Sequence, residues 1–451
     1  MKKNAEYMLE HAGLCRAADR LEPQMFDEYG VQRGLRDKNG NGVVAGLTNI
    51  SRIESFKMED GKKIPCEGKL WYRGYDCIEL VNGFRGDHFG FEEVAYLLLF
   101  GKLPNRDELK HFNDILASSR TLPTNFTRDV IMKAPSSDIM NSLTRSVLTL
   151  ASYDKNCSDT SIENVLRQCL GLIAVFPMLA VYGYHAYNHY SNDESMYIHR
   201  PQKKLSTAEN LLMMLRPDKQ YTELEAKVLD TALVLHMEHG GGNNSTFTTR
   251  VLSSSGTDTY SAISAAIGSL KGPRHGGANI KVKHMMDELL ANIKDLTDEE
   301  EIADYLGKII TKDAGDGSGL IYGFGHAIYT LSDPRAKILK KNAKKLSAEK
   351  GMTDIYEFYK RVEKLVPSVF ENVKGSKKVI CANVDFYSGF VYDMLGIESD
   401  LFTPLFAVSR IAGWCAHRIE EITYGGRIIR PAYRSMVKPT GYVPLDERTA
   451  D

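Results

Sequence analysis

Three histidines and one aspartate stand in segments that suit chemistry. His239 is followed by three glycines, His275 by two, and His326 follows Gly-Phe-Gly. Each glycine cluster lies where a helical pattern stops, which brings the main chain close to a ligand. Asp385 lies among apolar and aromatic residues, which raise the pKa of a carboxylate and strengthen it as a base. This set favours removal of a proton beside a carbonyl, with neutral donors holding the resulting enolate.

Metal binding is not predicted from the histidine spacing. His236, Glu238 and His239 read His-x-Glu-His, whereas zinc peptidases use HExxH or HxxEH. No cysteine or further histidine with ligand spacing follows, so we assign no metal ligand. His236 is interpreted as a buried core histidine.

Two of the candidate residues have simpler interpretations. Glycine and proline alone explain a turn around His275, and Asp385 would also suit the cap of a helix that begins at Phe386. The turn does not explain why the same design, a histidine beside glycines, recurs at His326.

Three arginines add a way to bind a small polycarboxylate. Arg335, Arg410 and Arg430 can each pair with a carboxylate through two parallel hydrogen bonds. Nucleotide-binding folds are not indicated, because the glycines at 315, 317 and 319 lack the GxGxxG spacing and a preceding strand, and GxxxxGK[ST] occurs nowhere. The chain also has no motif for a serine or cysteine nucleophile.

The composition is that of a globular protein without a polyanionic partner. The 451 residues include 57 Lys and Arg and 58 Asp and Glu, so the net charge is −1 and no global field attracts nucleic acid. Seven scattered cysteines without CxxC spacing favour a reducing compartment. The N-terminus has no apolar signal region, and the most apolar stretch, 171–184, is short for a bilayer and contains Pro177. We expect a cytoplasmic protein that binds neither nucleic acid nor membrane.

Helical periodicity runs through most of the chain and positions these segments. Apolar residues at helical spacing occur in stretches at 4–21, 92–100, 162–187, 211–215, 223–236, 262–270, 281–293, 299–310, 336–349, 355–365 and 401–422. Two β-rich runs, 46–53 and 70–75, flank a polar turn at 59–63 and predict a small sheet or hairpin. The predicted fold class is therefore mainly α with a small N-terminal β-sheet.

The motifs, taken in order, resemble the citrate synthase family. The resemblance extends from about residue 46 to residue 431, and six motifs in one order are far more specific than any one alone. The matching motifs are LHMEH at 235–239, GPRHGGAN at 272–279, GFGHAIY with DPR at 323–335, NVDFYSG at 383–389, AVSRIAGWCAH at 407–417 and RIIRP at 427–431.

The resemblance implies a citrate-synthase-like two-domain helical fold that works as a homodimer. Residues 1–274 with 389–451 would form the large domain, and residues 275–388 the small domain, which would close over the substrates. The implied reaction condenses acetyl-CoA with oxaloacetate and water to give citrate and CoA. No metal and no organic cofactor is implied, because acetyl-CoA is a substrate.

The catalytic roles of the family fall on three residues of this chain. His275 would hydrogen-bond the thioester oxygen of the enol, Asp385 would remove the methyl proton, and His326 would polarise the oxaloacetate carbonyl. Four residues would hold the substrate carboxylates: His239, Arg335, Arg410 and, from the neighbouring subunit, Arg430.

Two positions depart from the family pattern. Thr330 stands four residues after His326, where many relatives have a basic residue that contacts the CoA phosphates. Arg274 or the lysine-rich face at 337–345 would then have to bind those phosphates. The glycine run at 240–242 replaces bulkier polar residues and would change the floor of the pocket.

Other functions stay open at this point. A 2-methylcitrate synthase has the same catalytic set and uses propionyl-CoA, and one extra methylene is worth only about 1–3 kcal/mol of discrimination. Citryl-CoA cleavage is a more distant enzyme alternative. A non-catalytic sensor of CoA or a dicarboxylate is the alternative from another class, although retention of His275, His326 and Asp385 together argues against it. A metal hydrolase, the weakest alternative, would be inhibited by chelators.

Overall fold

The protein is built mainly of α-helices, as the sequence predicted. The structure, a computed structural model, describes residues 2–37, 40–325, 328–375 and 379–448. Of the residues that the structure describes, 59% are helical. The helices within the described ranges are α1 Lys2–Ala18, α2 Pro23–Glu28, α3 Cys77–Gly83, α4 Gly90–Phe100, α5 Arg106–Ser119, α6 Ile139–Ala151, α7 Ile162–Ser191, α8 Thr207–Leu215, α9 Glu223–His236, α10 Asn244–Ser254, α11 Thr259–Leu270, α12 Ala278–Asn292, α13 Glu299–Thr311, α14 Pro334–Lys350, α15 Thr353–Lys374, α16 Val384–Met394 and α17 Phe402–Tyr424.

A three-stranded antiparallel sheet lies near the N-terminus, as predicted, but its strands are longer than expected. Its strands are β1 Ser51–Glu59, β2 Lys62–Tyr72 and β3 Tyr75–Asp76, in the order β1-β2-β3. Pairing of β1 with β2 continues to the turn at 60–61, where Glu59 lies opposite Lys62. The β-rich runs predicted at 46–53 and 70–75 do not include the outer half of the hairpin. Main-chain hydrogen bonds need no apolar side chain, so the exposed outer half of the hairpin still pairs.

The long helix α7 is a core helix. It is long and apolar enough to cross a membrane, but 83% of its most apolar window is buried inside the protein. It carries Pro177 within the helix and packs against α5, α6, α8 and α17. A helix that is apolar on all faces is expected where neighbouring helices surround it.

Several helices lie outside the stretches that the periodicity predicted, among them α5, α6 and α10. Helix α5 has a readable start signal, because Asn105 and Glu108 form a capping box. Helix α10 has a sequence rich in serine and threonine, which are weak helix formers. It buries Thr249 and Arg250, so tertiary packing rather than local propensity accounts for it.

The ends of several helices meet at one place. Helix α9 ends at His236 and α11 at Leu270, while α14 begins at Pro334 and α16 at Val384. Helix α17 packs against α9 and α10 behind them. Helices α12 to α16 pack largely against one another. The division into a small domain at 275–388 and a large domain formed by the rest stays a prediction.

Candidate active site

A cavity of about 100 Å³ lies where these helix ends meet. Five of the seven predicted site residues line it: His239, His275, Arg335, Asp385 and Arg410. His326 lies outside the described residues. Arg430 is exposed on the irregular chain that follows α17 and does not reach this cavity in the single chain.

A tight turn after α11 places His275 at the cavity. The N–H of His275 donates to Gly272 O at 2.8 Å, and the N–H of Gly276 donates to Leu270 O at 2.9 Å. Thr403 Oγ1 at the start of α17 donates to Gly276 O at 3.1 Å. The segment is therefore a turn, and the same turn presents the imidazole to the cavity.

Helix α16 carries Asp385 in its first turn. Its cap is Asn383, whose side-chain oxygen accepts from the N–H of Asp385 at 2.9 Å. The alternative in which Asp385 caps the helix is wrong, because the helix begins at Val384, two residues earlier than Phe386. The carboxylate of Asp385 is thus left for the cavity, and it makes no hydrogen bond with the residues that the structure describes.

The loop that leads to His326 runs beside the segment that leads to Asp385. Gly325 N donates to Cys381 O at 3.0 Å, and Asn383 N donates to Gly323 O at 2.8 Å. The side-chain amide of Asn383 also donates to Gly325 O at 2.9 Å. Two motifs about sixty residues apart in sequence are therefore joined at their main chains.

Burial makes Asp385 a stronger base. It raises the pKa of Asp385 to about 6, against the lowering influence of Arg335 and Arg410 and with a further raising influence from Asp333. A carboxylate with this pKa is ionised at neutral pH and accepts a proton more readily than an exposed one.

His275 is neutral, and its environment sets its tautomer. Burial and the nearby positive charge of Arg410 lower the pKa of His275 to about 4. The main-chain N–H of Ser245 donates to Nε2 of His275 at 3.3 Å. Nε2 is therefore the acceptor, and the ring proton is on Nδ1. A neutral imidazole in this state can donate a hydrogen bond to an oxygen that develops negative charge.

Arg335 is held rigidly beside the cavity. Its Nε and Nη2 donate to the two carboxylate oxygens of Asp333 at 3.0 and 2.7 Å. Burial lowers the pKa of Arg335, but Asp333 outweighs it and the net shift is upward. Asp333 also accepts from the N–H of Arg335 and so caps α14. The guanidinium therefore stays charged. Its third nitrogen, Nη1, takes no part in the pair with Asp333.

Arg410 is fully buried and incompletely bonded. Its Nε donates to His236 O at 2.7 Å, and its guanidinium lies 4.7 Å from the ring centre of Phe406. Its Nη1 has no hydrogen-bond partner among the described residues. Burial lowers the pKa of Arg410 to about 10, while Glu238 and Tyr72 oppose the shift. A buried cation with an unused donor at a cavity is suited to an anionic ligand.

His239 completes the set from the loop after α9. It is 6% exposed, and its ring lies edge-on to Tyr329 with 5.5 Å between ring centres. Within the described ranges, no group of three His, Cys, Asp or Glu side chains could hold a metal ion.

Sequence reasoning missed residues that support this set. Asp333 orients Arg335, and Ser245 orients His275. The sequence Asp333-Pro334-Arg335 was a signal for the role of Asp333, since an aspartate before a proline often caps a helix. No local signal existed for Ser245, because its partner lies thirty residues away. His236 is buried as interpreted, with Nδ1 donating to Ala232 O at 2.8 Å.

Comparison with known proteins agrees with this geometry. The family model described as "Citrate synthase, C-terminal domain" matches residues 38–432. A citrate synthase from Synechocystis is 34% identical over 90% of this chain and 92% of its own. The 2-methylcitrate synthase 1 of Corynebacterium glutamicum is 33% identical over 93% of this chain and 99% of its own.

Solved structures give the same result. A citrate synthase from Thermoplasma acidophilum, in ternary complex with carboxymethyl coenzyme A and oxaloacetate, aligns with a TM-score of 0.73 and 29% identity. The match covers 92% of this chain and 98% of that one. The chain belongs to the citrate synthase family.

Membership confirms three expectations from the sequence. The fold is the mainly helical citrate synthase fold with a small sheet. The protein is an enzyme, a transferase of the citrate (Si)-synthase type. Its predicted reaction, the condensation that gives citrate, is the one for which most of the similar curated relatives are named, with 2-methylcitrate synthases among them.

Proposed function

We propose that this citrate synthase family member joins acetyl-CoA to oxaloacetate in the cavity that His239 and Arg410 line. Asp385 would be the base, and His275 would be the donor that stabilises the enol. One observation carries the proposal. A half-buried carboxylate with a raised pKa, a neutral histidine and two buried guanidinium groups share a single cavity of about 100 Å³.

The first step would be the removal of a methyl proton from acetyl-CoA. A thioester methyl is a weak acid, so a base works only if the developing enolate is stabilised at the same time. Asp385 would take the proton, and Nδ1–H of His275 would donate to the thioester oxygen. The neutral state of His275 suits this role, because an imidazole with its one proton on Nδ1 can donate a hydrogen bond to the oxygen that develops negative charge.

Oxaloacetate would be held by its two carboxylates. Arg410 has an unused Nη1 donor, and Arg335 has one nitrogen outside its pair with Asp333. His239 lines the same cavity. Two guanidinium groups can each donate to one of the two carboxylates of oxaloacetate. His326 would polarise the ketone, a role that the family resemblance assigns to it.

The enol carbon would then attack the ketone carbon of oxaloacetate to form the new C–C bond. The resulting alkoxide would take up one proton, which balances the proton that Asp385 removed. Water would then cleave the citryl thioester to release CoA and citrate. Water must stay out until the C–C bond has formed, so closure of the small domain over the site would suit the order of steps.

The acyl-CoA substrate is proposed to be acetyl-CoA, with propionyl-CoA as the second candidate. Relatives named 2-methylcitrate synthase reach 33% and 34% identity, close to the values for relatives named citrate synthase. The catalytic set is common to both reactions, and a methylene changes the transition-state energy by only about 1–3 kcal/mol. The CoA phosphates would contact Arg274, which is exposed on the turn before His275.

The test is CoA release from oxaloacetate with acetyl-CoA or propionyl-CoA, followed with a thiol reagent in the presence of a chelator. We expect turnover with both and a larger kcat/KM for acetyl-CoA. A larger value for propionyl-CoA would make the enzyme a 2-methylcitrate synthase. Absence of thiol release with either substrate would contradict the proposal and favour a sensor of CoA or a dicarboxylate.

The enzyme is also proposed to work as a homodimer in which Arg430 completes the neighbouring site. In support, the chain after α17 is largely exposed in the single chain and carries apolar side chains, including Tyr433 at 94% and Val437 at 83% exposure. Exposed apolar residues of this number commonly mark an interface. Arg430 lies in the same segment.

Mixed dimers would test this arrangement. The variants Asp385→Asn and Arg430→Ala should each be nearly inactive alone. Co-refolded in equal amounts, they should regain activity, because half of the dimers would contain one site with both native residues. No recovery, with dimers present by sedimentation, would contradict the role of Arg430.

A cytoplasmic location is proposed as well. All seven cysteines are unpaired, which agrees with a reducing compartment. Fractionation of cells that express the protein would test it.

A further inference from the structure

Glu238 is a buried carboxylate for which the proposed reaction has no role. It lies in the loop after α9, directly before His239, and its side chain is fully buried. A buried carboxylate is costly unless hydrogen bonds or cations compensate for the lost water. Its position beside a substrate-binding residue raises the question of what its charge does there.

One oxygen of Glu238 fixes the turn that carries His239. Oε1 accepts from the N–H of Gly240 at 2.6 Å, so the residue before His239 is bonded to the residue after it. Gly240 has a φ of +87°, which a residue with a side chain rarely adopts. Ser51 Oγ on β1 donates to the same oxygen at 2.9 Å. The backbone on both sides of His239 is thereby tied to the sheet.

A chain of hydrogen bonds between buried side chains also holds the carboxylate of Glu238. His417 Nε2 on α17 donates to Glu238 Oε1 at 3.0 Å. Arg250 Nε on α10 donates to His417 Nδ1 at 3.1 Å, which fixes the tautomer that makes Nε2 the donor. Arg250 in turn pairs with Glu420 and with Glu421. Side chains of two helices, α10 and α17, therefore orient one carboxylate.

The other oxygen of Glu238 lies against the helix that carries Arg410. A side chain at Gly413, one turn after Arg410, would come within 2.8 Å of Oε2. Oε2 has no hydrogen-bond partner among the described residues, and neither has Arg410 Nη1. The two charges also act on each other. Burial raises the pKa of Glu238, but His417 and then Arg410 outweigh it and lower this pKa to about 2. Glu238 in turn raises the pKa of Arg410 against burial.

We propose that Glu238 is a positioning residue for oxaloacetate, which holds the His239 turn through Gly240 and supplies the counter-charge of Arg410. The inference rests on the proposed binding of oxaloacetate in this cavity. Glu238 itself does not touch the substrate, because it lies behind His239 and Arg410 rather than in the cavity lining.

The variant Glu238→Gln separates these roles from simple folding. Glutamine keeps an acceptor for Gly240 and Ser51 but removes the negative charge that acts on Arg410. We expect the KM and the calorimetric Kd for oxaloacetate to rise about tenfold or more, with kcat at saturation within about threefold of the wild type. A merely structural role would lower the melting temperature without this split.

Glu92→Gln is the matched control. Glu92 is also a buried glutamate, and it accepts from Thr207 and Arg120 away from the cavity. Its variant should lower the melting temperature while the KM for oxaloacetate stays within about twofold.

The outcomes are distinguishable from failure of the proposed function. If the wild type does not bind oxaloacetate, the proposed function fails. If the wild type binds it and Glu238→Gln binds it equally well, the role of Glu238 is overturned. If Glu238→Gln does not fold, Ser51→Ala decides, because it removes one donor to the carboxylate at a partly exposed position. We expect a rise in KM of about twofold to fivefold, and an unchanged KM would overturn the inference.

Discussion

Two buried arginines on α17 show how a binding site differs from a structural core. Arg410 and Arg418 lie two turns apart on α17 and are both fully buried. Arg418 donates to Thr259 Oγ1, Ser253 Oγ and Thr257 O at 2.8–3.1 Å. Arg410 donates only to His236 O, and its Nη1 has no partner among the described residues.

The two arginines differ in how many of their hydrogen-bond donors the protein itself satisfies. Around Arg418 the protein supplies neutral acceptors, so the cation contributes to packing of α17 against α10 and α11. Around Arg410 an acceptor is missing beside a cavity, where a substrate carboxylate would fit. Asp385, in the first turn of α16, lines the same cavity, and its carboxylate likewise makes no hydrogen bond with the described residues. Unsatisfied buried groups cost stability, and they gather where a ligand can satisfy them.

The largest effect should come from Asp385→Asn, in the cavity that Arg410 also lines. The amide cannot accept the methyl proton, so kcat should fall by about 10²–10⁴-fold, the usual contribution of a general base. Calorimetry should still detect oxaloacetate binding, because the arginines are intact. A variant with more than about a tenth of wild-type kcat would show that another group is the base.

The pair Arg410→Lys and Arg418→Lys tests the contrast directly. Lysine cannot form the paired hydrogen bonds of a guanidinium, so Arg410→Lys should raise the KM for oxaloacetate about 10–100-fold. Arg418→Lys should leave that KM within about twofold but lower the stability by about 1–3 kcal/mol, since Thr259 and Ser253 lose their donor. Steady-state kinetics and thermal unfolding of both variants would be compared. A KM effect from Arg418→Lys of the same size would remove the distinction.

The pH profile should report the raised pKa of Asp385. The base is active when ionised, so kcat/KM should be constant above about pH 7 and fall about tenfold per pH unit below pH 6. His275 has a lowered pKa of about 4, so it stays neutral over this range and does not add a second step. A profile that is flat down to pH 5 would contradict the assignment of the base.

The smallest effect should be a gain of stability in Asp385→Asn. The folded-state pKa, about 6, lies above the unfolded value of about 3.9. The stability that this carboxyl provides is therefore complete below pH 4 and is lost as the pH rises through 6. Replacing it should raise the free energy of unfolding by about 1–2 kcal/mol at pH 8, with allowance for partial exposure, and by nothing at pH 4. Denaturant titrations at both pH values would measure it, and equal effects at both would be inconsistent with the raised pKa.

Much of the fold follows from local signals, but unevenly. Helix α9, at Glu223–His236, was predicted to the residue because its apolar stripe is regular and Thr222 and Glu225 form a capping box at its start. Helix α10 was missed because its serines and threonines show no such stripe. The outer half of the hairpin was missed for a related reason: its side chains are largely exposed, and main-chain pairing of β1 with β2 continues there. Local patterns report side-chain periodicity and capping, and they are silent where packing or main-chain pairing decides.

The candidate site likewise has features that local sequence patterns indicated and contacts that they did not. Glycine-flanked histidines and the Asp385 segment pointed to proton abstraction, and the ordered motifs pointed to the family. The link from Glu238 through His417 to Arg250 had no local pattern, because its members come from the loop after α9, α17 and α10. The assignment of His326 rests on the motif, since the residue lies outside the described ranges.

The sequence by itself determined which residue types stand in which motifs, and therefore the family and the class of reaction. Only the tertiary structure decided which distant groups act on one another: Glu238 on Arg410, and the N–H of Ser245 on Nε2 of His275. These contacts and the burial around them set the pKa of Asp385 near 6 and the neutral state of His275. The physical reason is that a pKa and a tautomer depend on desolvation and on neighbours within a few ångströms, and folding brings those neighbours from distant parts of the chain.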